Sequence, residues 1–130
     1  MGNNAGIGVV STANNHIMDR GPEGLDATLQ VLQQAGIQQH GTVPSGAADQ
    51  PRPAYLPITL SRGGANVKVA FLSFSWGING IPDPYNQVNL LWQSNEYGQQ
   101  GGIRQGVLDA IAQARRAADL VIVAAHWGYE

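Results

Sequence analysis

The run Asp119–Ala125 (DLVIVAA) constrains this chain more than any other stretch. A strand that is apolar on both faces must be covered on both, the condition of a strand in the middle of a parallel sheet. Parallel strands need crossover connections, and the first third of the sequence supplies one. Ile7–Ala13 (IGVVSTA) reads as a short buried strand, and Asn14–Gly21 (NNHIMDRG) as a loop. A helix follows: Pro22 suits its first position and Glu23 its positive end. Leu25, Leu29 and Leu32 recur at helical spacing, and Gly36 fits the left-handed stop. Ile37–Gly41 is then a second strand. Strand, loop, helix, strand is the repeating unit of α/β folds.

The middle of the chain reads differently. Tyr55–Leu60 (YLPITL) is a strand that Pro57 assigns to an edge. Ser61–Asn66 is a turn, and Val67–Phe74 returns as the second arm of a hairpin. Residues 75–101 show no periodicity and hold two of the three Trp and two of the four Tyr. Long irregular segments often carry function, but these aromatics serve equally as core or loop anchors. A second helix is predicted over Ile103–Ala118, with Ile103, Val107, Ile111 and Ala114 on one face. It leads into Asp119–Ala125 and the polar cluster His126-Trp127-Gly128-Tyr129-Glu130. The fold class is α/β, a mixed sheet flanked by helices. The chain enters a strand close to Met1 and stops just after one. Residues 1–130 therefore read as the central part of a longer domain, truncated at both ends.

Composition removes several functions. There is no cysteine, so no disulfide framework, zinc-thiolate site or cysteine nucleophile. The net charge is −2, and the seven Lys and Arg are scattered apart from Arg115-Arg116. Neither a nucleic-acid footprint nor a polybasic membrane patch is present. No apolar run approaches the ~20 residues that span a bilayer.

Two polar clusters share a position. Asn14-Asn15-His16 follows the carboxyl end of one predicted strand and His126 that of another, and open α/β sheets bind ligands at such ends. If the two strands are neighbours, the clusters converge. Amide oxygen, imidazole nitrogen and carboxylate oxygen suit Mn²⁺, Mg²⁺ or Zn²⁺. A two-metal site clamps a phosphate-like oxygen, and a nearby histidine protonates the leaving group. Asn15, His126 and either Asp19 or Glu130 are too few donors for two metals. Each residue also has a plain structural role open to it. Asn14 and Asn15 shape turns, His16 fills a loop, Asp19 caps the turn before Pro22, and His126 closes a strand under Trp127. His40 has no assigned role.

The stretch Gly8–Gly41 closely resembles the bacterial capsule-synthesis (CapA-like, poly-γ-glutamate) family. That family carries a strand, an ANNH-x-x-D-x-G loop and a helix ending in AGI. Here these are Ala13-Asn14-Asn15-His16, Asp19, Gly21 and Ala35-Gly36-Ile37. Ala118–Val123 leading into His126-Trp127-Gly128 and Glu130 is similar to the family's strand and H-W-G-x-E motif, and Lys68–Ser75 resembles its central strand. The resemblance implies a calcineurin-like metallophosphoesterase sandwich. It implies Asn15 and His126 as ligands of a divalent metal (Mn, Mg or Zn), His16 as the proton donor, and Asn14, Asp19 and Glu130 as supports. It further implies capsule polymer biosynthesis or export at the cell envelope, within a capsule-synthesis complex, with an anionic polymer or phosphoester as substrate. The chemistry would be metal-dependent hydrolysis of phosphoester or amide bonds. A general phosphoesterase and a non-catalytic assembly or polymer-binding subunit are the alternatives. The family's Gly-Asp, Asn-x-Glu and Gly-His-His-Pro-His-type motifs are absent from these 130 residues. This stretch alone is therefore expected to bind metal weakly or not at all, and to be inactive.

Overall fold

The structure, a computed structural model, describes residues 6–94 and 101–128. Its elements are β1 (Val9–Ser11), α1 (Gly21–Gln34), β2 (Gln38–His40), β3 (Leu56–Arg62), β4 (Ala65–Ser75), β5 (Trp92–Ser94), β6 (Gly101–Ile103), α2 (Gln105–Ala117) and β7 (Leu120–His126). The fold is α/β with a mixed sheet and two helices.

The predicted crossover unit forms as expected. β1 and β2 pair in parallel, Val9 opposite Gln38 and Ser11 opposite His40, with α1 between them in the chain. Proline sits in the first turn of α1, and Gly36 ends it at φ 70°. Burial begins later than Ile7–Ala13 suggests: Val9 and Val10 are only half-buried, and Thr12 and Ala13 are the enclosed pair.

The hairpin also forms. β3 and β4 pair antiparallel from Leu56–Phe71 to Arg62–Ala65. Gly63 and Gly64, both at positive φ, close the two-residue turn, the primed geometry that matches strand twist. β3 lies at the sheet edge, where Pro57 can lack an N–H without loss.

Three expectations need correction. The strand over Asp119–Ala125 exists as β7, but it is not central among the described residues. The order is β3-β4-β7, so β4 takes the middle and β7 pairs with β4 alone. Val121 packs on the core under α2, whereas Leu120 and Ile122 remain 49% and 45% exposed. α2 covers the face that carries Val121, and Leu120 and Ile122 lie on the opposite face. Second, the helix starts at Gln105, not Ile103. Arg104 is extended (ψ 137°), with its N–H on the Leu91 carbonyl, and Ile103 belongs to β6. Third, the irregular segment contains β5, which pairs antiparallel with β6, Trp92 opposite Ile103.

Two apolar clusters hold these parts together. Ala70, Leu72 and Phe74 of β4 pack with Leu91 and with Val107, Ala110 and Ala114 of α2. Met18 and Leu25 pack with Ile78 and Val88, which anchors the 14–21 loop and α1 to the long β4–β5 connection. A polar tie lies beside the second cluster. Asp26 accepts from the Ser45 N–H (2.9 Å), the Ser45 hydroxyl (2.5 Å) and the Gln87 amide (2.9 Å).

His40 joins β2 to β4. It is 5% exposed. Its Nδ1 accepts the Ser73 N–H at 2.9 Å, and its Nε2–H meets the Pro53 carbonyl at 3.2 Å. Burial pulls its pKa below the ordinary 6.5, outweighing the opposite pull of the Pro53 carbonyl. The unfolded chain therefore takes up this proton first. The stability linked to a neutral His40 is present above pH 6.5 and is lost as pH falls below it. The urea midpoint is expected to drop as the pH falls from neutral toward the folded-state pKa. A midpoint that rises across that window would contradict the buried neutral imidazole.

Candidate functional site

The loop after β1 is built by its own side chains. The Asn14 side-chain oxygen accepts the His16 N–H at 2.9 Å, an Asx-type turn that asparagine forms readily. The Asp19 N–H returns to the His16 carbonyl, and the Gly21 N–H to Met18. Met18, fully buried, is the apolar pin under this turn. The His16 ring stays outside, 56% exposed, with Nδ1 3.0 Å from Asp19 Oδ2. This is the sole ion-pair geometry among the described residues. An imidazole held this way directs its Nδ1–H at the carboxylate.

His126 approaches from the other half of the chain. It ends β7 opposite Ser75, and its carbonyl accepts the Trp76 N–H at 2.8 Å. Its Nε2 lies 2.8 Å from Asn15 Oδ1, although the two residues are 111 positions apart. β1 and β7 are not ladder neighbours, so the clusters do not converge by pairing. They meet because residues 88–91 fill the space between. The Asn89 N–H bonds the Gly41 carbonyl, the Ser75 N–H bonds the Asn89 carbonyl, and the Leu91 N–H bonds the Ser75 carbonyl. A 2.5 Å hydroxyl contact, Ser11 to Ser73, joins β1 to β4 directly.

Asn79 is the member that sequence reading misses. The Asn15 amide nitrogen donates to Asn79 Oδ1 at 3.3 Å. That fixes which way the Asn15 amide faces, with its oxygen toward His126. Asn79 (φ 55°) and Gly80 (φ 70°) form a tight turn closed by the Ile81 N–H on the Ile78 carbonyl. The dipeptide Asn-Gly is the signal that could have found the turn, though not its partner.

Asn15 Oδ1 and His126 Nε2 suit a divalent ion in kind. Their 2.8 Å separation is close to the ~3 Å between neighbouring donors at bonds of about 2.1 Å. In number they are a partial set: nowhere among the described residues do three His, Asp or Glu side chains gather. Glu130 lies outside the described residues.

The three tryptophans assemble at this end of the sheet. Trp76 stacks on Trp92 (centroids 4.5 Å, 25° between planes) and tilts against Trp127 at 4.6 Å. Trp127 is 60% exposed beside His126. Two members of the irregular segment thus anchor the loop, while the third aromatic remains open to solvent.

Residues 3–130 match the family described as Bacterial capsule synthesis protein PGA_cap. No curated protein matches the chain.

Proposed function

The chain belongs to the bacterial capsule synthesis protein family, and from that premise we propose that it forms part of a metal-dependent hydrolase of phosphoester or amide bonds that serves the biosynthesis or export of an anionic capsule polymer, poly-γ-glutamate. The observation that supports this reading most is the 2.8 Å meeting of Asn15 Oδ1 and His126 Nε2. It unites the two motifs of the sequence at one point. In this reading the fold is the core of a calcineurin-like metallophosphoesterase sandwich, residues 1–130 are its central part, and the intact protein works at the cell envelope. Among the described residues no helix is long and apolar enough to cross a membrane.

Asn15 and His126 would hold a divalent ion (Mn, Mg or Zn), with further donors from elsewhere in the intact protein, Glu130 among the candidates. When bound, such an ion polarises a phosphoryl or carbonyl oxygen and lowers the pKa of a coordinated water. His126 Nε2 has to exchange its hydrogen bond with Asn15 for the ion, which needs the tautomer protonated on Nδ1. Asn79 keeps the Asn15 oxygen, rather than its nitrogen, on the ion side. Asp19 would orient the His16 ring by accepting from Nδ1–H, so that in the imidazolium form the Nε2–H delivers its proton to a leaving group and the ring is left neutral, protonated on Nδ1. Asn14 fixes the turn that presents His16.

Calorimetric titration of the intact protein with Mn²⁺ or Zn²⁺ tests the donor pair. His126→Ala and Asn15→Ala are each expected to weaken binding by at least about tenfold. Unchanged affinity in both variants, with unaltered circular dichroism, would remove the pair from the site. A second reading, a non-catalytic polymer-binding or assembly subunit, draws on the exposed Trp127, which is tilted against Trp76. A general phosphoesterase would turn over simple phosphoesters and leave poly-γ-glutamate untouched.

A further inference from the structure

A cavity of 640 Å³ is walled by the first turn of α2, the β4–β5 connection and the stretch around Arg52. It shares no residue with the Asn15–His126 site, and its role is independent of the function proposed for that site. Its volume falls within the range of about 300–1,000 Å³ typical of small-molecule sites. Part of the wall is apolar, including Phe74 and Val107. The rest is polar and includes two arginines, Arg52 and Arg104.

Neither arginine has a carboxylate within pairing distance among the described residues. Arg52 is half-buried, and Nη1 donates to the neutral Asn89 Oδ1 at 2.7 Å. Burial pulls its pKa down, against the more distant charge of Asp83. A partly desolvated cation whose direct hydrogen-bond partner is neutral is stabilised when an anion joins it. Arg104 anchors itself through Nε, which donates to the Trp92 carbonyl at 2.7 Å. That contact leaves the Nη pair of its planar fork for an oxyanion, the geometry that suits carboxylate and phosphate. One carboxylate, Asp109, also lines the cavity. It is held from the same helix by the Gln105 amide at 2.9 Å.

The geometry points to an anion-binding site. The cavity takes a small organic molecule whose carboxylate or phosphate oxygens sit on Arg52 and Arg104 and whose aliphatic part lies against Phe74 and Val107. Asp109 sets the limit on negative charge that the ligand can carry toward α2.

Titration of the protein with glutarate and, separately, with inorganic phosphate tests this by calorimetry. Saturable binding of at least one probe is expected, and the stronger of the two identifies carboxylate or phosphate as the preferred group. Arg52→Gln and Arg104→Gln are each expected to weaken it about tenfold or more. Arg52→Lys, which keeps the charge but loses the fork, should fall between. Asp109→Asn should tighten binding several-fold, an effect that misfolding does not produce. If neither probe saturates, or if affinity is unchanged in a natively folded Arg52→Gln or Arg104→Gln variant, the site is disproved. Weaker binding in Asp109→Asn would also overturn it.

Discussion

Changing His16 to alanine is expected to cut turnover by the intact protein about 10²- to 10⁴-fold, the usual contribution of a positioned general acid. The fold should not notice. The ring is more than half exposed, and the turn is held by the His16 backbone N–H on Asn14, which the substitution keeps. Stability should therefore change by no more than about 0.5 kcal/mol. Asp19→Asn should give an intermediate loss, since the ring stays but its orienting charge goes. Polymer yield in cells and the melting temperature of the purified variants provide the two readouts. Full polymer yield from a stably folded His16→Ala protein would reject the catalytic reading and favour the assembly role.

The largest structural effect is expected at Gly41, where β2 passes into the next segment. Its φ is 125°, and a Cβ there would lie 2.5 Å from the Ala13 backbone nitrogen, 2.7 Å from the Ala13 Cβ and 2.8 Å from Ser73 Oγ. The obstacle is backbone and short side chains at the junction of β1, β2 and β4, so nothing can swing aside. Backbone strain and overlap together should make Gly41→Ala cost about 4 kcal/mol or more. Gly46→Ala is the matched control, with no atom within 4 Å of its added Cβ and no positive φ, and should stay within about 0.5 kcal/mol of wild type. Urea denaturation of the pair measures the difference. Equal midpoints would show that the junction is looser than its geometry.

Local patterns in the sequence carried the crossover unit, the hairpin and the glycine stops, because each depends on residues a few positions apart. What they could not carry is tertiary. The apolar run of β7 shows that it is a strand; its place in the sheet depends on which neighbours exist, and β4 takes the centre. Ile103 lies one helical turn before Val107, so periodicity extends the helix through it. The Arg104 contacts to Leu91 and Trp92 end the helix there instead. His40 follows two glutamines and looks like any surface polar residue. Its burial rests on Pro53 and Ser73, 13 and 33 positions away. Of the candidate site, Asn15, His16 and His126 could be named from the sequence, and Asn15 and His126 do meet, while Asn79 was hidden because a turn signal does not name what its side chain will hold.

The 111-position gap between Asn15 and His126 has a thermodynamic meaning of its own. In the unfolded chain the two groups have no reason to meet, so a ligand that bridges them binds the folded form almost exclusively. Such a ligand at a hundred times its dissociation constant adds about 2.7 kcal/mol to folding, a large share of what a small domain has in total. With such a ligand bound, the lifetime of the folded protein would be tied to the ligand's supply in its surroundings. Scarcity would be felt first as proteolysis of unfolded chains, before any loss of rate per surviving molecule.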